Sequence, residues 1–239
     1  MKWKDDFSYA RNYSLSKATK DYIMWLDADD IIDQTNQQKL IELKNTLNKN
    51  VDIVMMKYKM GKNNDCIFYR ERLIKNNKTH FFVNAIHETI PLIGNLMYSD
   101  ITILHQKEKI NDPKRNLKIY QNMINHKTKL NTRDLFYFAR ELWYNQYYYL
   151  AIKYFNKFLI QNDAWVENKI EACLDVSFCY LATNQKQKAL KSLFQSFEYD
   201  VPHSEILCQI GHYFLAENLI TSAIYWYQLA LKNHINLFD

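Results

Sequence analysis

Glycine and proline are scarce, three of each in 239 residues. Folds made of many short strands and tight turns use more of both, so a loop-rich all-β architecture is excluded and a helix-dominated chain is expected. The four cysteines, Cys66, Cys173, Cys179 and Cys208, lie far apart with no C-x-x-C spacing. Neither a zinc site nor a disulfide framework is indicated, and reduced, mostly buried thiols are expected. No apolar run approaches the length of a membrane span, and Met1-Lys2-Trp3-Lys4-Asp5-Asp6 has no signal-peptide core, which predicts no membrane partner and a cytoplasmic location. A basic tract is also missing. The formal charge is a modest +5 with the lysines dispersed, and no recognisable motif points to nucleic acid, so no such partner is expected.

What is present is ample apolar material, 48% hydrophobic and 15% aromatic with eighteen tyrosines, enough for sizeable cores in two small domains or one large one. Cap chemistry at Asp6-Phe7-Ser8 predicts a helix near residues 7–19. A strand Tyr22–Leu26 follows, then Asp27-Ala28-Asp29-Asp30, then a helix from about Thr35 to Asn48 with Leu40, Leu43 and Leu47 at helical spacing. Val51–Met56, Cys66–Leu73, Phe81–Val83 and Ile101–Leu104 read as further strands, with a turn at Gly61-Lys62-Asn63-Asn64. The first hundred residues are therefore mixed α/β. If the strand runs on into Asp27 and Asp29, alternation puts both carboxylates on one side. Such a pair suits a hard divalent cation, Mn²⁺ or Mg²⁺, although acidic residues after a strand are also common as turns and caps.

The stretch Asp5-Asp6-Phe7-Ser8-Tyr9-Ala10-Arg11-Asn12, followed by Ala18-Thr19-Lys20-Asp21-Tyr22-Ile23-Met24-Trp25-Leu26-Asp27-Ala28-Asp29-Asp30, resembles the middle of a family 2 glycosyltransferase of the GT-A (Rossmann-like) fold. In that family an A-R-N helix precedes an A-x-G-D-Y-I-x-x-L-D-x-D-D strand and turn; here Lys20 replaces the usual glycine. The resemblance implies a nucleotide-sugar donor, a UDP-sugar first of all, and a peptide, protein or glycan acceptor. Asp27 and Asp29 would hold the metal on the diphosphate, with Asp30 shaping the site, Arg11 near the diphosphate and Asn12 bracing the turn. The pair His87-Glu88 matches a His-Glu in the same subset, making Glu88 the candidate base of an inverting transfer. His105 falls where a third metal ligand is expected; taken alone, a histidine at a strand end is as readily a surface residue. His80 has no assigned role.

The resemblance also implies earlier βα units carrying the nucleotide-base site, and nothing in this chain corresponds to them. A partial, parallel GT-A sheet with long unpaired edges is the resulting expectation, with self-association as a homodimer and a donor pocket only half present. Beyond Asn111-Asp112-Pro113 the pattern is helical throughout. Ala151, Ala189 and Ala223 align with the small residues Ala139, Ser177 and Gly211 twelve positions earlier and with Phe155, Leu193 and Tyr227 four positions later. This is the tetratricopeptide pattern, with an insertion near Asn162-Asp163-Ala164-Trp165. The expected organisation is a partial GT-A domain over 1–110, a linking helix over 111–132 and a tetratricopeptide-like solenoid over 133–239, α/β followed by all-α. The repeats suit a structural role or a protein partner, and Tyr147-Tyr148-Tyr149 are expected in the core rather than on a carbohydrate-stacking surface. A truncated chain that serves only as an interaction module is the alternative to an enzyme.

Overall fold

The structure, a computed structural model, describes residues 2–61, 66–106, 112–201 and 203–232; of the expected turn, Lys62-Asn63-Asn64 lie outside them. The chain divides into two compact units, the first ending at Asp112 and the second beginning at Pro113. Among the described residues no helix is long and apolar enough to cross a membrane.

The first unit runs α1 (Phe7–Leu15), β1 (Tyr22–Met24), β2 (Asp30–Ile31), α2 (Gln34–Thr46), β3 (Ile53–Met60), β4 (Ile67–Lys75) and β5 (Leu96–His105). Asp6 caps α1 by accepting from Tyr9 N at 2.8 Å, and Asp33 caps α2 through Asn36 N. The sheet order is β1-β4-β3-β5-β2. It is mixed rather than parallel as expected: β3 and β5 run parallel, while the β1–β4, β3–β4 and β2–β5 pairs are antiparallel. The two outermost strands are only three and two residues long, so β1 pairs only with Leu73–Lys75 of β4 and β2 only with Leu104–His105 of β5, and among the described residues no strand pairs with the rest of those outer sides.

The central strand β3 is covered on both faces, the usual state of a buried strand. Ile53 and Met55 join Trp25, Ile74, Phe82 and Ile90 in one apolar cluster. Val54, Met56 and Tyr58 join Leu43 of α2 with Ile101 and Ile103 in the other. The expected strand at Phe81–Val83 is absent, and the segment makes one isolated bridge, Val83 to Thr89. Its backbone pairs with a side chain instead. Phe82 N donates to Asn12 Oδ1 at 2.8 Å and Asn12 Nδ2 donates to Phe82 O at 2.9 Å, so one amide stands in for a neighbouring strand.

The second unit is all helical: α3 (Arg115–Asn125), α4 (Thr132–Tyr144), α5 (Tyr148–Leu159), α6 (Val166–Ala182), α7 (Lys186–Gln195), α8 (Ser204–Ala216) and α9 (Ile220–Lys232), with a 3₁₀ turn at Ser196–Glu198. Helices α4–α5, α6–α7 and α8–α9 form three successive pairs. The turns inside these pairs place Gln146, Asn184 and Asn218 at φ of 65°, 58° and 57°, each five residues before an aligned alanine. In a chain with so little glycine, side chains that tolerate the left-handed region make these turns. Ala139, Ala151, Ser177, Ala189 and Ala223 are all buried, as their small size at a close helix approach requires. At Gly211 an added Cβ would stand 2.7 Å from the ring of Tyr227. Cys173 and Cys179 are buried, Cys66 and Cys208 half-buried, and among the described residues none of the four forms a disulfide. The tyrosine run departs from expectation: Tyr147 and Tyr149 are exposed, the latter by 74%, and Tyr148 is half-buried.

Candidate active site

Four segments distant in sequence converge on the end of β1. The strand itself stops at Met24, so alternation does not extend to the acidic residues as expected; Asp27–Asp30 form a turn instead. Asp30 N donates to Asp27 O at 3.0 Å, and Asp27 N donates back to Asp30 Oδ2 at 2.9 Å. This reciprocal closure turns Asp29 outward, 37% exposed, and Asp30 inward to full burial. Antiparallel pairing then sets Asp30 directly opposite His105.

Asp29, Asp30 and His105 bring one ligand atom each within 4.8 Å of one another. His105 Nδ1 lies 3.3 Å from Asp30 Oδ1 and 3.5 Å from Asp29 Oδ1. Neighbouring ligands around an octahedral ion at roughly 2.1 Å stand about 3 Å apart, so the spacing fits a small divalent cation after minor tightening. Two carboxylates and one imidazole are also the donor set that Mn²⁺ or Mg²⁺ accepts. Of the residues expected as metal ligands, Asp29 and His105 come together here and Asp27 does not join them. Asp30, expected only to shape the site, takes the third place.

Asp27 is engaged with Arg11. The guanidinium of Arg11 donates through Nη2 to Asp27 Oδ1 and through Nε to Glu88 Oε1, both at 2.6 Å, and lies over the rings of Trp25 and Phe82. Burial works against the Arg11 charge, but Asp27 and Glu88 outweigh it and raise its pKa above the ordinary arginine value. Among the described residues nothing donates to Oε2 of Glu88. Glu88 therefore presents one bound and one available oxygen. Asn12, one residue on from Arg11, holds the loop that carries Glu88 through its two bonds to Phe82.

Beneath the turn lies a group that sequence reasoning missed. Arg72 of β4 is fully buried and donates to Asp30 Oδ2 at 2.8 Å. Tyr58 of β3 donates its hydroxyl to Asp30 Oδ1 at 2.8 Å, and burial, with the neighbouring Asp30 charge, raises its pKa. Among the described residues, Arg11 thus pairs with the carboxylates of Asp27 and Glu88, and Arg72 with that of Asp30. A charged triplet in an otherwise apolar strand, Arg70-Glu71-Arg72, was the available signal, but it reads as surface until the strand's neighbours are known.

Several known proteins are similar to parts of this chain. The SPbeta prophage-derived glycosyltransferase SunS of Bacillus subtilis (strain 168) is 41% identical over 46 residues, and so is glycosyltransferase SunS of Bacillus phage SPbeta. The matched stretch covers 19% of this chain and 11% of each of those relatives, so it spans about a tenth of their length. Among solved structures, a crystal structure of MamA is similar at a TM-score of 0.45 and 12% identity, over 50% of this chain and 67% of that one. A further MamA structure, MamA MSR-1 C2, is similar at 0.43 and 12% identity, over 50% and 66%. The family profile "Glycosyl transferase family 2" matches residues 1–142, which takes in every residue of the convergent site and more than half of the chain. This chain belongs to glycosyl transferase family 2.

Proposed function

We propose that the chain serves in the transfer of a sugar from a nucleotide-sugar donor, a UDP-sugar in the first instance, to a peptide, protein or glycan acceptor, with inversion at the sugar carbon. The observation that carries this reading is the convergence of Arg11, the turn Asp27–Asp30, Glu88 and His105 on one place in the first unit. Asp29, Asp30 and His105 would hold Mn²⁺ or Mg²⁺, which supplies charge neutralisation to the diphosphate as it leaves. Arg11 contributes a fixed positive charge beside the same turn, and its twofold anchoring by Asp27 and Glu88 holds that charge oriented at no further entropic cost. Glu88, with Oε2 available, accepts the proton of the acceptor nucleophile as that nucleophile attacks the face of the sugar opposite the diphosphate.

The test is release of UDP from a panel of UDP-sugars with Mn²⁺. The wild-type chain is expected to release UDP, a chelator to stop it, and Asp29→Ala to slow it at least about 100-fold, the equivalent of losing about 3 kcal/mol of charge stabilisation. Equal rates in wild type and variant contradict the reading. A second reading, a protein-interaction module without catalysis, is favoured by the exposed aromatics of the helical unit, Tyr149 and Trp165 above all, the latter 65% exposed. It gains if the folded chain neither binds the cation nor releases UDP.

A further inference from the structure

Arg72 sits where strand geometry gives it no partner on β3, while on its other side its carbonyl accepts from Trp25 N at 3.2 Å. In the β3–β4 ladder Val54 pairs with Leu73 and Met55 with Glu71, so Arg72 is the extra residue of a β-bulge. The bulge breaks alternation, and Glu71 and Arg72 both point inward as consecutive buried residues. The Arg72 guanidinium lies between two rings, 3.9 Å from the centroid of Trp25 and 4.2 Å from that of Tyr58. It donates through Nη1 to Asp30 Oδ2 at 2.8 Å and more weakly to Trp25 O at 3.4 Å, while among the described residues Nε and Nη2 have no hydrogen-bond partner.

A wholly buried guanidinium with two unsatisfied nitrogens is an unfavourable filling for a core, and an apolar side chain of similar volume packs the same space without that desolvation. Its one full-strength bond goes to Asp30, the residue on which the site turns. Asp30 Oδ2 also receives Asp27 N, which closes the acidic turn, and Asp30 Oδ1 faces His105 Nδ1. Every one of these contacts depends on the carboxylate being held in a single orientation, and the sandwiched guanidinium restricts it from below. We propose that Arg72 is a positioning residue of the cation site, acting through Asp30 to fix the acidic turn and the facing His105 in the arrangement that receives the ion. The proposal rests on the reading of Asp29, Asp30 and His105 as a cation site.

The test is Mn²⁺ binding, without nucleotide, followed by calorimetry and by the loss of the free-ion electron paramagnetic resonance signal, with far-UV circular dichroism reporting the fold. The full chain is compared as wild type, Asp29→Ala, Asp30→Asn, Arg72→Met, Arg72→Lys and the double variant Arg72→Met/Asp30→Asn. Arg72→Met is expected to weaken Mn²⁺ binding about 10- to 100-fold, as loss of an outer partner of a metal ligand does, and Arg72→Lys to weaken it less. In the Asp30→Asn background Arg72→Met is expected to change the affinity by less than about twofold, because its route of action is already cut. A merely structural role would lower the thermal midpoint and leave the affinity alone. If Arg72→Met does not fold, Arg72→Lys, which keeps the charge but not the planar stacking, carries the comparison. Folded Arg72 variants that bind Mn²⁺ as wild type does, while Asp29→Ala does not, overturn the role of Arg72 and leave the cation site standing. A loss of the same size with and without Asp30→Asn overturns the route through Asp30. No binding by the wild type overturns both readings.

Discussion

Each unit of the molecule buries an Arg–Asp pair, and the two are built differently. In the α/β unit Arg72 and Asp30 are both fully buried at 2.8 Å, and the carboxylate has further donors in Tyr58 and the Asp27 backbone. In the helical unit Arg140 of α4 meets Asp175 of α6 at 3.2 Å and Glu171 at 2.8 Å, with the guanidinium partly exposed. There burial pushes the Asp175 carboxyl up to about 7, although Arg140 pulls the other way. One pair holds a carboxylate at the focus of several donors. The other joins two stacked helices and can give up its charge.

The two pairs should respond unequally to loss of the arginine. Arg72→Met leaves Asp30 buried without its cation and is expected to destabilise the chain by about 3–5 kcal/mol in denaturant unfolding. Arg140→Met should cost less, on the order of 1–2 kcal/mol, because Asp175 can take a proton and Glu171 is accessible to water; equal losses would erase the distinction between the pairs. The pH dependence separates them further. Asp175 holds its proton more tightly folded than unfolded, so its contribution favours the folded state below the ordinary aspartate pKa of about 4 and is lost as pH rises from there through about 7. Asp175→Asn is expected to flatten the fall in thermal midpoint between those values. An unchanged slope would contradict the assignment. Smallest of all, Gly211→Ala sets a Cβ against the ring of Tyr227 and should cost about 1 kcal/mol, whereas Ala189→Gly, at a site already occupied by a methyl, should cost a similar amount through backbone entropy rather than a clash.

Much of the candidate site was legible because its residues lie in contiguous motifs. Arg11 and Asn12 share one helix, Asp27 to Asp30 one turn, and Glu88 and His105 stand in recognisable short contexts. The pairing of Arg11 with both Asp27 and Glu88 was not legible, since it spans 16 and 77 residues and depends on how α1 meets the loop after β4. Arg72 was hidden for another reason. Alternation predicts where a strand side chain points only while the register holds, and the bulge opposite Val54 and Met55 breaks it. The same limit explains Asp29 and Asp30: reading the acidic run as strand pairs Asp27 with Asp29, whereas the turn pairs Asp29 with Asp30. The helix pairs were readable because small residues recur at fixed spacing. The exposure of Tyr147 and Tyr149 was not, because periodicity locates a helix face without saying whether a neighbour covers it.

In the proposed function, the turn at Asp27–Asp30 and His105 together serve as a divalent-cation site for a nucleotide diphosphate. Its most direct test is a calorimetric titration of UDP into the chain with and without Mn²⁺, repeated on Asp29→Ala. UDP binding that requires Mn²⁺ in the wild type and weakens at least about tenfold in Asp29→Ala is the predicted result. UDP binding that is indifferent to Mn²⁺, or the same in both proteins, would contradict it.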